Sequence, residues 1–166
     1  MPYIKHELEA FGIKVLAPQF PDQGLARAQF WMPFLEQLGV DENTIIIGHS
    51  TGAIAAMRIA ETHKLLGSVL VGAYASDLGL ETEKQSGYFD NPWRWQPIKD
   101  NQQWIVQFAS TDDPWIPASE SRLVHQNLAT EYYESTDQGH FGGDYYKPEF
   151  PELLAVLKKK LKIISA

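Results

Sequence analysis

A chain of 166 residues fits one domain and can bury about two-thirds of the surface that its unfolded form exposes, so a second domain is not required. Its 14 basic and 21 acidic residues leave a formal charge of -7, which argues against nucleic acid or an anionic membrane as a partner. There is no cysteine, which excludes disulfides, thiolate catalysis and zinc-thiolate sites.

No apolar run reaches the roughly 20 residues of a membrane helix, and Met1-Pro2-Tyr3-Ile4-Lys5-His6 lacks the pattern of a secretory leader. A cytoplasmic protein without a membrane partner is expected. From Tyr3 to Phe11, Ile4, Leu8 and Phe11 recur at helical spacing between charged residues, and Gly12 stops the helix. Ile13 to Ala17 reads as a short strand ended by Pro18, and Pro18 to Gly24 as a loop. Ala28, Trp31, Leu35 and Leu38 mark the buried stripe of a second helix closed by Gly39.

Thr44 to Ile47 reads as a buried strand, and Thr51 to His63 as a helix of small and apolar residues packed on a sheet. Ser68 to Val71 is a third strand, apolar enough to be covered on both faces. Tyr74 to Asn91 is the longest irregular stretch and leads into Pro92-Trp93-Arg94-Trp95; a loop of that length in a compact domain is commonly functional. Trp104 to Ala109 and Glu131 to Ser135 complete the strands, with a helix from Pro117 to Leu128 between them. A final helix runs from Phe150 to Ile163. Its Lys158-Lys159-Lys160 run suits the negative end of the helix dipole, not a nucleic-acid patch. Strands alternating with helices predict one α/β domain over residues 1–166, a three-layer α/β/α sandwich around a mainly parallel sheet.

The chemistry centres on Gly48-His49-Ser50-Thr51-Gly52, which joins the Thr44 strand to the Thr51 helix. A serine at a sharp strand-to-helix bend has its hydroxyl exposed, and the next backbone NH, that of Thr51, faces a developing oxyanion; a glycine two residues away on each side relieves Cβ clashes. Such a nucleophile needs a base, and the base needs a carboxylate to fix its tautomer. In an open parallel sheet both belong in loops at the carboxyl ends of strands. The Trp104 strand is followed by Asp112-Asp113-Pro114, and the Glu131 strand by Gly139-His140. Either aspartate could instead bind backbone NH groups in a turn, and Pro114 and Pro117, which stiffen the turn, favour Asp113. His6, His49, His63 and His125 have no obvious route to the Ser50 hydroxyl and read as structural. Trp93, Trp95 and Trp115 are candidates for core packing or for an apolar substrate wall.

The elbow with its flanks, Thr44-Ile45-Ile46-Ile47-Gly48-His49-Ser50-Thr51-Gly52-Ala53-Ile54-Ala55-Ala56-Met57-Arg58, resembles that of the retinoblastoma-binding protein 9 family of small α/β-hydrolases. So do Tyr74-Ala75-Ser76-Asp77-Leu78-Gly79, Ser86-Gly87-Tyr88-Phe89, Pro92-Trp93-Arg94-Trp95 and Ser110-Thr111-Asp112-Asp113-Pro114. The resemblance implies a serine hydrolase of the α/β-hydrolase type with a minimal cap and a triad of Ser50, Asp113 and His140. Its substrate would be a small ester or amide, and no metal or organic cofactor is implied.

Two departures stand out. The Leu-x-Cys-x-Glu segment that names the mammalian member is Leu38-Gly39-Val40-Asp41-Glu42 here, so retinoblastoma-protein binding is not expected. In the family a first strand and a glycine-rich loop precede the first helix, whereas this chain starts at that helix. An N-terminally incomplete sequence is therefore expected, with direct pairing of the Ile13 and Thr44 strands, or cover by a second copy, as alternatives. That loop supplies the second oxyanion donor, and losing one such donor typically costs about 2.7 to 4 kcal/mol of transition-state stabilisation. The rival expectation is a weak or inactive hydrolase fold that serves as a protein-binding module.

Overall fold

The computed structural model describes residues 2–142 and 148–162. They fall into two compact units, one built from the described parts of 1–19 and 142–166 and the other from 20–141. In the first, α1 (Pro2–Ala10) buries Ile4 and Leu8, and α7 (Pro151–Lys160) buries Leu153, Leu154, Val156 and Leu157. Within α7 the buried positions follow the helical period. Lys158 lies 4.5 Å from the centre of the Phe11 ring. Ile163, the predicted end of this helix, lies outside the described residues.

The second unit holds a four-stranded parallel sheet in the order β1 (Ile45–His49), β2 (Leu65–Val71), β3 (Gln102–Ser110), β4 (Glu131–Ser135). Between the strands come α3 (Thr51–Ala60), the short α4 (Glu81–Gln85) and α5 (Trp95–Asp100), and then α6 (Ala118–Leu128); α2 (Ala28–Gln37) precedes β1. Every crossover steps one strand in the same direction. Right-handed connections of that kind place their helices on one face, and α3 packs on α5, and α5 on α6. Val69, Leu70 and Val71 alternate between the two faces and are all fully buried, the pattern of a strand covered on both sides. α3 contributes the densest part of the core, with Ala53, Ile54, Ala56, Ile59 and Ala60 shut off from solvent. Its small residues permit the helix to approach the sheet closely.

The predicted strand Ile13–Ala17 does not form. Residues 13–17 carry no regular structure, and Leu16 is 54% exposed. β-Branched composition favours an extended chain, but a strand exists only within a hydrogen-bonded ladder, and β1 stands at one edge of the sheet order.

The stretch from Tyr74 to Asn91, expected to be irregular, contains the short α4 and is irregular elsewhere, yet it is tied down at both ends. Glu120 Oε2 accepts the Ala75 and Ser76 NH groups at 2.9 and 3.0 Å, and its Oε1 accepts the Ser76 hydroxyl at 2.9 Å. Arg58, in the last turn of α3, donates to the Tyr88 carbonyl at 2.9 Å and to that of Asn91 at 2.7 Å. Its guanidinium also pairs with Glu61 at 2.7 Å and sits 3.8 Å from the centre of the Trp93 ring. Five planar donors on one side chain can serve several carbonyls at once, which substitutes here for a secondary-structure ladder. No helix among the described residues is long and apolar enough to cross a membrane.

Candidate active site

Ser50, between the end of β1 and the start of α3, has φ 54° and ψ -125°, a conformation that costs a residue bearing a Cβ. The bend is held from both sides: the Ser50 NH donates to the Val71 carbonyl of β2 at 2.9 Å, and the Ser50 carbonyl accepts the Ala53 NH at 2.8 Å. The two glycines of the pentapeptide differ. A Cβ on Gly48 would lie 2.2 Å from the Gly52 carbonyl oxygen, so position 48 tolerates only glycine. A Cβ on Gly52 would meet nothing within 4 Å, so the expected steric need at that position is absent among the described residues.

Asp113 and His140 come together at the carboxyl ends of β3 and β4, with Asp113 Oδ2 2.8 Å from His140 Nδ1. The other carboxylate oxygen accepts the Trp115 and Ile116 NH groups at 2.9 and 3.0 Å, which fixes the carboxylate in a side-chain environment only 3% exposed. A carboxylate only accepts, so Nδ1 carries a proton, and in the neutral ring the lone pair is on Nε2. The neighbouring aspartate does different work. Asp112 Oδ1 accepts the Ser110 hydroxyl at 2.5 Å and the Gly139 NH at 2.9 Å, and the Ser110 hydroxyl accepts the Gln138 NH at 3.1 Å. The Ser110 bond foremost, and then the backbone donors, hold the Asp112 carboxyl below the usual range.

The imidazole of His140 lies over Gly72, whose added Cβ would sit 3.5 Å from Cε1 and 3.6 Å from Nδ1. Gly72 has φ 60° and follows Val71, the residue that receives the Ser50 NH. Serine and imidazole therefore border the same corner of β2. Among the described residues no hydrogen bond joins the Ser50 hydroxyl to the ring; contacts of this type commonly tighten only when substrate is bound.

The structure gives His49 a place that its sequence position did not disclose. Its Nε2 is 2.6 Å from the His140 carbonyl oxygen, and the two rings are 4.7 Å apart. Burial, the largest influence, pushes the His49 imidazole below its ordinary value, with the bond to the His140 carbonyl acting the other way. His125 instead bonds Thr130 at 3.0 Å, and His63 bonds its neighbour Thr62 at 2.9 Å. The oxyanion candidate, the Thr51 NH, is the first of α3 and has no carbonyl one turn back within the helix. The Thr51 hydroxyl lies 3.4 Å from the Tyr74 hydroxyl, which donates to Glu83 Oε2 at 2.7 Å. Burial above all pushes the Tyr74 phenol far up, so it stays a donor.

The three tryptophans separate. Trp93 and Trp95 stack at 5.4 Å and pack against the core, with the Trp93 indole NH on the Ala75 carbonyl at 2.7 Å. Trp115 is 68% exposed, two residues beyond Asp113. Among the described residues no three His, Cys, Asp or Glu side chains converge as a metal site would.

A family model described as serine hydrolase matches residues 22–159. Serine hydrolase RBBP9 of Rattus norvegicus is 51% identical over 151 residues, covering 90% of this chain and 79% of the rat protein. The crystal structure of the ydeN gene product from B. subtilis superposes with a TM-score of 0.87 at 27% identity, covering 97% of this chain and 89% of that one. A pyrethroid hydrolase from Sphingobium faniae JZ-2 matches with a TM-score of 0.67 over 98% of this chain and 91% of its own; at 14% identity this likeness shows the fold alone. A strand-elbow-helix core, a parallel sheet and half of all aligned residues shared with the rat protein lead to one conclusion: the chain belongs to the serine hydrolase family and is a hydrolase of the α/β-hydrolase fold.

Proposed function

We propose that the chain cleaves a small ester or amide through an acyl-enzyme on Ser50. His140 Nε2 takes the proton from the Ser50 hydroxyl as Oγ attacks the carbonyl carbon, and Asp113 stabilises the imidazolium that results. The Thr51 NH donates to the oxyanion. Collapse of the tetrahedral intermediate expels the alcohol or amine, which leaves with the proton from His140. Water then attacks the acyl group, with His140 again as base, and the carboxylic acid departs from a regenerated serine.

The observation that carries this reading is the 2.8 Å contact of Asp113 with His140 Nδ1, made beside a serine held at φ 54°. It engages Nδ1, so Nε2 is the ring nitrogen left to take the serine proton. The exposed Trp115 is the best-placed of the three indoles to meet an apolar substrate, since Trp93 and Trp95 are engaged with the core.

A fluorophosphonate probe at neutral pH, with Ser50→Ala as control, tests the proposal. Labelling of the parent chain that vanishes in the variant is the expected result. A folded parent chain that takes up no label, and turns over no p-nitrophenyl acetate, would sink the proposal.

A further inference from the structure

We propose that His49, inside the elbow, is a positioning residue for His140: it holds the main chain of the base while Asp113 holds its ring. The inference rests on the reading of His140 as that base. Three tethers converge on His140. The preceding NH, that of Gly139, is taken by Asp112 at 2.9 Å, the ring by Asp113 at 2.8 Å, and the carbonyl by His49 Nε2 at 2.6 Å. The carbonyl belongs to a peptide unit whose NH, that of Phe141, bonds the Gln138 carbonyl at 2.9 Å in a tight turn. Phe141, directly after it, sits at φ 57°, a left-handed conformation that a phenylalanine adopts only under outside constraint.

The donor's address is what gives the contact its function. His49 is paired in register with Val71 at the end of β1 and immediately precedes Ser50. The strand that presents the nucleophile thereby grips the loop that presents the base, across 91 residues of sequence. That bond adds a direct link between the two reacting groups to the corner of β2 that they share, and small misplacements of reacting groups are costly. A carbonyl only accepts, so His49 must carry a proton on Nε2, which identifies its neutral tautomer.

Two variants isolate the donor. In His49→Gln the amide nitrogen falls near the position of Nε2, whereas His49→Met fills a similar volume with no donor. His49→Met is expected to lower kcat for p-nitrophenyl acetate about tenfold, with KM within about twofold of the parent. His49→Gln recovers most of the loss. The low-field proton resonance of His140 Nδ1-H should persist in the parent and in His49→Gln, and broaden in His49→Met. In the parent chain labelled with nitrogen-15 histidine, His49 should be the Nε2-H tautomer.

A His49→Met chain with parent kcat and an intact resonance overturns the proposal. So does a His49→Gln chain damaged as badly as His49→Met, or a parent His49 found as the Nδ1-H tautomer, which needs no variant to fold. If the parent chain neither labels nor turns over, the catalytic reading fails, and the tautomer and the resonance still decide whether His49 positions His140.

Discussion

Asp112 Oδ1 accepts the Gly139 NH at 2.9 Å, so the residue beside Asp113 holds the chain one position before the imidazole that Asp113 grips. Two adjacent aspartates thus act on one loop in different ways, one through the ring and one through the backbone.

Replacement of each should separate these effects. Asp113→Asn keeps the shape but offers the imidazole an amide, which favours the wrong tautomer, and kcat should fall on the order of 10⁴-fold. Asp112→Ala leaves the Asp113 contact chemically intact and loosens only its placement, for a loss of about ten- to a hundredfold. Steady-state kinetics on p-nitrophenyl acetate check both. Equal losses in the two variants would contradict the division of labour.

The glycines of the elbow give a second contrast. Gly48→Ala forces a Cβ to 2.2 Å from the Gly52 carbonyl oxygen, against backbone that cannot move without breaking the bend. Overpacking of this kind typically costs about 1 to 3 kcal/mol, and rigid backbone puts this case at the upper end. Gly52→Ala meets open space at the start of α3 and should be neutral or stabilising by up to about 1 kcal/mol. Thermal melts of the two variants distinguish them, and a Gly52→Ala chain that melts as low as Gly48→Ala would contradict the packing at the elbow.

His49 should leave a mark on the pH dependence of stability. Burial depresses its folded value below the ordinary 6.5, so as pH falls through 6.5 the unfolded chain takes up a proton that the folded chain refuses. The stability it contributes is therefore complete above pH 6.5 and declines as pH falls toward the folded value. Urea melts at pH 7.5 and pH 5.5, values about one unit either side of the ordinary histidine value, should show a larger decline for the parent than for His49→Gln. The same decline in both would remove His49 as its source.

Arg58 is the clasp of the Tyr74 to Trp95 segment. Arg58→Leu strands the Tyr88 and Asn91 carbonyls, ends the stacking on Trp93 and leaves Glu61, whose side chain is 12% exposed, without its cation. Removing one partner of a largely buried pair costs about 3 to 5 kcal/mol. A chemical denaturation midpoint unchanged from the parent would show that the clasp holds nothing.

The sequence by itself determined the alternation of strands and helices, and with it the sheet. Glu131–Ser135 coincides with its predicted bounds, and the predicted cores of the three other strands fall on or beside Ile45–His49, Leu65–Val71 and Gln102–Ser110. For Leu65–Val71 and Gln102–Ser110 the reason is local: a parallel strand covered on both faces is apolar over much of its length, so burial is written into consecutive residues, whereas Glu131–Ser135 at the sheet edge is marked by its paired tyrosines. The serine at the elbow was legible for the same reason, since a bend between strand and helix has its own spacing. Chain order placed Asp113 and His140 at strand ends, but only the fold showed that a carboxylate oxygen meets Nδ1 at 2.8 Å.

Tertiary structure alone decided the rest. Ile13–Ala17 has strand composition and no ladder, because pairing depends on a neighbour that no local pattern encodes. The short α4 and α5 escaped the periodicity argument because they are barely longer than one turn, and distant groups such as Arg58 fasten the chain around them. His49 reads as an inert filler of the elbow until the chain closes. Its donor then meets a carbonyl 91 residues away, a contact between the end of β1 and the loop after β4 that nothing in the residues around it encodes.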